Sequence, residues 1–363
     1  MAFLSKKISI TLAALAVSTA AVAQERTVNV YNWSDYIDEE VLKDFTAETG
    51  IKVVYDVFDS NEVLETKLLA GGTGYDVVVP SATFLARQIQ AGVFQPLDQS
   101  KLTNAGNMWD AVKERTEVYD PGQKYSINYM WGTTGIGYNV KAAKERIGSE
   151  VVSWDVIFDP EKLAKFKDCG VHILDAPQEI VPAALNYMGK PADSKKKEDV
   201  EAAAALLESL RGSVQKFHSS EYINALANGD ICLAVGWSGD VFQARDRAAE
   251  ADAGVEVGYS IPKEGALMWF DQMAIPADAK NVAEAHEFLN YIMRPEVIAK
   301  ASNYVYYANG NKASQPLLEE DITGDPAIYP DEATLGKLYV ATPWGAREQR
   351  VLTRSWTKVK TGQ

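Results

Sequence analysis

The sequence predicts an α/β protein of two lobes, each a mainly parallel sheet flanked by helices, with a cleft between the lobes. The chain has 363 residues, which is more than one ordinary hydrophobic core accommodates. Hydrophobic residues make up 47% and charged residues 24%, as in a folded globular protein rather than a disordered one. Short apolar runs also alternate with helical patterns, which is typical of βαβ units.

The first part of the chain carries this alternation most clearly. Strands are predicted at 27–31, 51–58 and 75–79, and helices at 38–49 and 59–70. Gly50 suits the end of the first helix, and Asp59-x-x-Glu62 resembles a capping box at the start of the second. Ser81 can cap a helix that follows the third strand. This βαβαβ order predicts a largely parallel sheet.

A glycine-rich segment at 131–137 predicts a backbone crossover between the lobes. Gly132, Gly135 and Gly137 do not have the spacing of a dinucleotide-binding loop, so a phosphate loop is the less favoured interpretation. Beyond this segment, helices are predicted at 200–211, 220–228 and 282–293, and strands at 231–235 and 272–276. A second crossover is predicted at 255–268, which gives two α/β lobes joined more than once.

The first 23 residues predict a secretory leader rather than part of the fold. Lys6 and Lys7 precede a mostly apolar stretch at 8–20, and residues 21–23 have the small-x-small pattern of a cleavage site. An N-terminal membrane anchor is the alternative, but the apolar run is short for a membrane span. We expect cleavage after Ala23 and export of the chain that follows.

The net charge limits the classes of partner. Lys and Arg total 36 against 50 for Asp and Glu, so the formal charge is −14, and it becomes −16 when the two leader lysines are removed. Nucleic-acid binding normally needs an excess of cations to meet the phosphates, so we expect no nucleic-acid partner. An acidic protein is compatible with a cationic small ligand.

The sequence contains two cysteines, Cys169 and Cys232, and three histidines. In an exported protein such a pair indicates a disulfide, although two buried free thiols are the alternative. These residues are too few and too scattered for a convincing zinc or redox site, so we expect no metal and no cofactor.

Candidate binding residues follow predicted strands, because ligands of open α/β sheets collect outside the carboxyl ends of the strands. The strand-end residues are Trp33, Ser34, Asp35, Tyr36, Ser81, Trp237 and Asp240. Other segments of the same composition contribute Glu179, Trp269, Asp271 and Tyr307.

The recurring pattern in these segments is an aromatic ring near a carboxylate, which suits an organic ammonium ion. A desolvated cation loses several kcal/mol of hydration, which carboxylates and ring faces can offset. Cation–π contacts contribute about 0.5–2 kcal/mol each, so the carboxylates must dominate. Four acids are more than one amine needs, so we expect a ligand with two or more amines; these acids are Asp35, Glu179, Asp240 and Asp271.

Other interpretations of these residues stay open. A single Trp or Tyr is more often part of a core than of a ligand site. Carboxylates with aromatic rings also describe a glycoside hydrolase or a sugar-binding protein, although sugar sites rarely need four acids without arginine partners. A serine nucleophile is not indicated, because residues 236–239 lack the G-x-S-x-G spacing.

Four motifs together resemble the periplasmic polyamine-binding proteins of bacterial ABC importers, and the putrescine-binding branch in particular. These motifs lie at 31–36, 54–62, 236–240 and 354–360, and the resemblance covers nearly the whole chain after the leader. It implies the two-lobed type II periplasmic binding fold, a periplasmic location, a Cys169–Cys232 disulfide, and delivery of a polyamine to an inner-membrane permease. We expect no enzymatic activity, and capture by closure of the lobes needs only a monomer. We expect one lobe to comprise 24–132 and 254–316, and the other 133–253 and 317–363.

The resemblance also implies roles for individual residues. Trp33 and Tyr36 would line the cleft, and Ser34, Asp35 and Ser81 would supply polar contacts. Glu179, Asp240 and Asp271 would meet the amines, Trp237 and Trp269 would sandwich the methylene chain, and Tyr307 would close one side. Ser219 and Arg247 would make contacts between the lobes or behind the site.

Trp269 is the one departure from the putrescine-binding pattern, which has Phe there. The wider indole predicts a preference for the longer spermidine.

Overall fold

The computed structural model describes residues 25–252 and 254–362, so the predicted leader lies outside the described residues. The strands are β1 Thr27–Trp33, β2 Lys52–Phe58, β3 Val77–Val78, β4 Ser126–Asn139, β5 Val171–Ile173, β6 Lys216–Phe217, β7 Leu233–Trp237, β8 Val257–Ser260, β9 Leu267–Ala274 and β10 Ala308–Asn309.

The α-helices alternate with these strands along the chain. They are α1 Glu39–Thr49, α2 Asn61–Ala70, α3 Ala82–Gln90, α4 Asp110–Thr116, α5 Val140–Ile147, α6 Asp155–Phe158, α7 Pro160–Ala164, α8 Pro177–Tyr187, α9 Lys197–Leu210, α10 Tyr222–Ala227, α11 Ser238–Glu250, α12 Val282–Ile292, α13 Pro295–Val305, α14 Glu320–Thr323, α15 Glu332–Leu335 and α16 Ala346–Thr361. Within residues 25–252 and 254–362, none of the helices has the length and apolar character needed to cross a membrane.

The strands form one hydrogen-bonded sheet in the order β2-β1-β3-β9-β4-β7-β5-β6, and β8 and β10 pair with β4 beside it. The pairs β1–β2 and β1–β3 are parallel, as the sequence predicts. The pairs β5–β6 and β5–β7 are parallel too, although the strands β5 and β6 were not predicted from the sequence. The pairs of β4 with β7, β8, β9 and β10 are all antiparallel. The α/β class is therefore confirmed, with antiparallel strands in the middle of the sheet.

The glycine-rich segment lies inside β4, which passes from one half of the sheet to the other. Residues 126–134 pair with β9, and residues 134–139 pair with β7 and β8. The segment is thus a crossover strand and not a phosphate loop. Because β9 pairs with β4 along most of its length, it begins at Leu267, earlier than predicted, and it contains Trp269 and Asp271.

Two large hydrophobic cores lie at the two ends of the sheet. One is built from β1, β3, α1, α12 and α13, and the other from β5, β7, α8, α9 and α16. A third cluster joins Trp131, Phe242 and Phe270 to Leu318 and Ile322. The exact assignment of residues to the lobes stays a prediction.

The helix ends follow the sequence in part. Asp38 caps α1, and Gly50 ends it in the left-handed conformation at φ 70°. The predicted capping box at Asp59 is wrong, because the side chain of Ser60 accepts the capping hydrogen bond from the Val63 amide.

Ser81 stands at the start of α3 but makes no side-chain cap. Its hydroxyl instead bonds across the sheet to Asp271. The predicted capping role is therefore wrong, because the Ser81 hydroxyl donates its hydrogen bond to the buried carboxylate of Asp271.

A disulfide joins Cys169 and Cys232, as the resemblance implies. Cys232 directly precedes β7, and Cys169 lies two residues before β5, in the parallel pair where Val171 is opposite Leu233. The bridge therefore ties together the starts of two neighbouring strands of one core.

Candidate functional site

Most of the predicted site residues line one cavity of about 460 Å³ between the two large cores. The predicted residues found there are Trp33, Ser34, Tyr36, Ser81, Glu179, Ser219, Trp237, Asp240, Trp269, Asp271 and Tyr307. An adjoining volume of about 590 Å³ shares several of these walls and extends the cavity towards Glu62, Asp175 and Gln178. The fold thus brings together groups that are far apart in the sequence.

Asp35 and Arg247 do not lie on the wall of this cavity. They form an ion pair, with 2.7 Å between Oδ1 of Asp35 and Nη2 of Arg247. The pair connects the turn after β1 to α11. The polar contact expected of Asp35 and the contact between lobes expected of Arg247 stay predictions.

Asp271 is positioned by the pairing of β9 with the segment that follows β3. Ser81 forms a backbone bridge with Asp271, and its hydroxyl donates to Oδ1 at 2.7 Å. The Tyr36 hydroxyl donates to Oδ2 at 2.9 Å. Burial raises the pKa of Asp271 to about 7, although these two hydrogen bonds favour the carboxylate.

Asp240 lies in the first turn of α11 and is also held by two hydroxyls. Tyr307 donates to Oδ1 at 2.6 Å, and Tyr222 donates to Oδ2 at 2.7 Å. Burial raises the pKa of Asp240 to about 7.

Glu179 lies in the first turn of α8, next to the crossover strand. Its Oε2 accepts hydrogen bonds from the Thr134 hydroxyl and from Nε1 of Trp237, the latter at 2.9 Å. Burial again dominates and raises the pKa of Glu179 to about 7. All three acids therefore sit where a negative charge is costly unless a cation joins it.

Aromatic rings form the remaining walls. The Trp33 and Trp237 rings are 5.5 Å apart and nearly perpendicular, and the Trp269 and Tyr307 rings are 5.4 Å apart. Tyr36 packs edge-on against Tyr307 at 5.1 Å. Flat apolar walls of this kind suit an alkyl chain, and ring faces attract a cation.

Two glycines allow the rings to approach the backbone. A Cβ on Gly132 would lie 2.7 Å from the Trp269 ring, and a Cβ on Gly239 would lie 2.4 Å from the Tyr307 ring. Both glycines are needed because of these close contacts and not because of an unusual turn.

The cavity wall is acidic without balancing cations. Among the described residues that line it, none is Lys, Arg or His. Nor do residues 25–252 and 254–362 contain a group of His, Cys, Asp or Glu side chains suited to a metal ion. The three buried acids and the aromatic rings suit an organic cation with more than one charge.

The sequence reasoning did not place several contributors. Asp59 lines the cavity and accepts a hydrogen bond from the Ser34 hydroxyl at 2.6 Å, although it was predicted only as a helix cap. Thr134 and Tyr222 hold carboxylates from behind the wall. The position of Asp59 after a strand could have revealed it, whereas the contacts of Thr134 and Tyr222 depend on tertiary structure alone.

Comparison with known proteins identifies the family. The family model described as bacterial extracellular solute-binding protein matches residues 40–330. The chain belongs to this family.

The relatives agree with the predicted resemblance. The putrescine-binding periplasmic protein PotF of Escherichia coli is 52% identical over 99% of this chain and 98% of its own length. The putrescine-binding periplasmic protein SpuD of Pseudomonas aeruginosa is 52% identical over 98% of each chain. The predicted resemblance to periplasmic polyamine-binding proteins is confirmed.

Solved structures confirm the fold. A putative spermidine/putrescine ABC transporter structure from Listeria monocytogenes has a TM-score of 0.82 at 34% identity and covers 93% of this chain and 100% of its own. The Streptococcus pneumoniae substrate-binding protein PotD has a TM-score of 0.75 at 30% identity and covers 92% of this chain and 98% of its own. The predicted two-lobed binding-protein fold is therefore confirmed.

Proposed function

We propose that this protein is a periplasmic receptor that captures a linear polyamine, spermidine or putrescine, and delivers it to an inner-membrane ABC permease. The observation that carries the proposal is the set of three buried carboxylates in one aromatic cavity whose described wall has no cationic side chain. Relatives named for putrescine, or for spermidine and putrescine, support the choice of ligand. The proposed role needs no chemical step, no cofactor and no second copy of the chain.

In this proposal the three carboxylates bind the ammonium groups. Each already accepts two hydrogen bonds, which fix its orientation. Since an ionised carboxylate has about four lone-pair sites, each acid keeps acceptor capacity for an ammonium group. The Trp and Tyr rings then pack against the methylene groups between the charges.

Closure of the two lobes would complete the site. Asp35 and Arg247 connect the predicted lobes on one side of the cavity, and Tyr307 reaches from one predicted lobe to Asp240 in the other. Bending about β4 and the 255–268 segment would open and close the cleft. Closure removes water from the amines, so the contacts to carboxylates and rings strengthen together.

A ligand screen tests the proposal. Thermal shift and titration calorimetry should detect putrescine and spermidine, while amino acids and oligosaccharides give no response. N,N′-diacetylputrescine is the matched control because it keeps the carbon chain but has no charge. Equal binding of the diacetyl compound would show that the ammonium charges are not recognised and would reject the polyamine receptor. Binding or hydrolysis of an oligosaccharide instead of polyamine binding would favour a sugar-binding protein or a glycoside hydrolase.

A further inference from the structure

Tyr222 is a buried residue that holds the site from behind. It begins α10, its side chain is 0% exposed, and it does not line the cavity. Its ring lies against the backbone of β7, where a Cβ on Gly236 would come within 2.5 Å of it. The ring is therefore fixed beside the strand end that carries Trp237.

The Tyr222 hydroxyl connects two groups of the cavity. It accepts a hydrogen bond from the Trp237 amide at 3.0 Å and donates to Oδ2 of Asp240 at 2.7 Å. Because the amide is a donor only, the hydroxyl proton is left to point at the carboxylate. This direction favours the ionised form of Asp240, which is the form that pairs with an ammonium group.

Tyr222 differs from the other donor to Asp240 in its place in the fold. Tyr307 donates to Oδ1 from the opposite predicted lobe, and it also lines the cavity. Tyr222 lies in the same predicted lobe as Asp240, at a sequence separation of only 18. Its hydrogen bond therefore does not depend on closure of the lobes.

We propose that Tyr222 is a positioning residue that presents the Asp240 carboxylate and the Trp237 ring to the polyamine before the lobes close. The inference deepens the proposed function and rests on it. Other titratable or charged groups also interact with Asp240 by hydrogen bonds or electrostatically. They are Tyr36, Tyr307, Asp35, Arg247 and Asp271.

The test is Tyr222→Phe, with Tyr329→Phe as the matched control. The control also removes a hydroxyl that accepts from a backbone amide, at Asn309, but that hydroxyl contacts no carboxylate of the cavity. Titration calorimetry with putrescine from pH 5.5 to 8.5 should show Tyr222→Phe binding about 10- to 100-fold more weakly, the range expected for a lost hydrogen bond to a charged group. The pH midpoint of binding should also move upward, while Tyr329→Phe leaves both quantities unchanged.

Further measurements separate positioning from general support of the fold. In an Asp240→Asn background, Tyr222→Phe should have a much smaller effect, because the partner that it positions has lost its charge. An unchanged affinity, or a loss that is equal at every pH and in both backgrounds, would overturn the inference.

Two NMR readouts need no ligand, and the second of them also needs no variant. Carboxyl NMR of the ligand-free protein should show the midpoint of the Asp240 titration at a higher pH in Tyr222→Phe. In the unaltered protein, the ¹³Cζ resonance of Tyr222 should titrate with the Asp240 midpoint. Absence of that response rejects the inference even if polyamines bind. Failure of the unaltered protein to bind any polyamine rejects the proposed function, on which the inference rests.

Discussion

Each of the three buried acids of the cavity pairs with hydroxyl or indole donors rather than with a cationic side chain. Tyr36 and Ser81 serve Asp271, and the Thr134 hydroxyl and the Trp237 indole serve Glu179. Such donors orient a carboxylate without cancelling its charge. The cost of burying that charge is therefore left for a cationic ligand to offset.

We expect Asp240→Asn to weaken polyamine binding by about 2–5 kcal/mol, because a buried ammonium group would lose its charged partner. Titration calorimetry measures the change. Asp44→Asn is the control, since Asp44 is an exposed acid paired with Lys300 at 2.9 Å and its removal changes the net charge equally. An affinity for Asp240→Asn equal to that of the control would remove Asp240 from the site.

We expect Trp269→Phe to shift preference from spermidine towards putrescine. Nε1 of Trp269 has no hydrogen-bond partner among the described residues, so this change removes ring area and no hydrogen bond. Competition between the two polyamines, followed by calorimetry, measures the ratio of affinities. If both ligands lose affinity to the same extent, Trp269 does not determine selectivity.

At the scale of elements, much of the cavity wall is formed at the ends of β1, β3 and β7 and in the middle of β9. The antiparallel pairing of β9 with β4 turns Trp269 and Asp271 towards the strand ends of the parallel half. The opposite end of β7 is tied to the start of β5 by the disulfide. The disulfide, which stabilises the fold, and Trp237, which lines the cavity, thus lie at opposite ends of β7.

We expect the double change Cys169→Ser and Cys232→Ser to lower the free energy of unfolding by about 4 kcal/mol. The bridge spans a sequence separation of 63, and removing it gives the unfolded chain the conformational entropy of the opened loop. Urea unfolding of the oxidised protein and the variant measures this. Putrescine affinity should change little, because Trp237 lies at the far end of β7. An unchanged unfolding midpoint would contradict the expected contribution.

At the scale of the whole molecule, the cavity couples proton binding to ligand binding. The pKa values of Glu179, Asp240 and Asp271 are each about 7, well above the ordinary value of a carboxyl group. Between about pH 4 and pH 7 the folded protein without ligand therefore holds more protons than the unfolded chain, so these groups make it less stable as the pH rises.

A polyamine reverses this dependence, because its ammonium groups pair with the ionised carboxyls. We expect affinity to fall as the pH drops below 7, by up to about tenfold per pH unit for each carboxyl that must lose a proton. The increase in Tm caused by putrescine should be larger at pH 8 than at pH 5.5. Calorimetry in buffers of different ionisation enthalpy should detect proton release near pH 7, and a pH-independent affinity would exclude this coupling.

The sequence by itself determined the α/β class, the parallel strands β1 to β3 and most of the cavity wall. Trp33, Ser81, Trp237 and Asp240 were identifiable because they follow strands, and the carboxyl ends of parallel strands meet at one edge of a sheet. The apolar runs that define those strands, and the helix ends that bound them, are local features of the chain, so they can be recognised from the sequence alone.

Tertiary structure decided which polar group each acid meets. The capping box predicted at Asp59 gave way to Ser60, and Ser81 bonds to Asp271, 190 positions away, instead of capping its helix. Asp35 pairs with Arg247 outside the cavity, and Tyr222 supports Asp240 from behind. These contacts join segments whose approach depends on packing and burial, and no local pattern of residues encodes them.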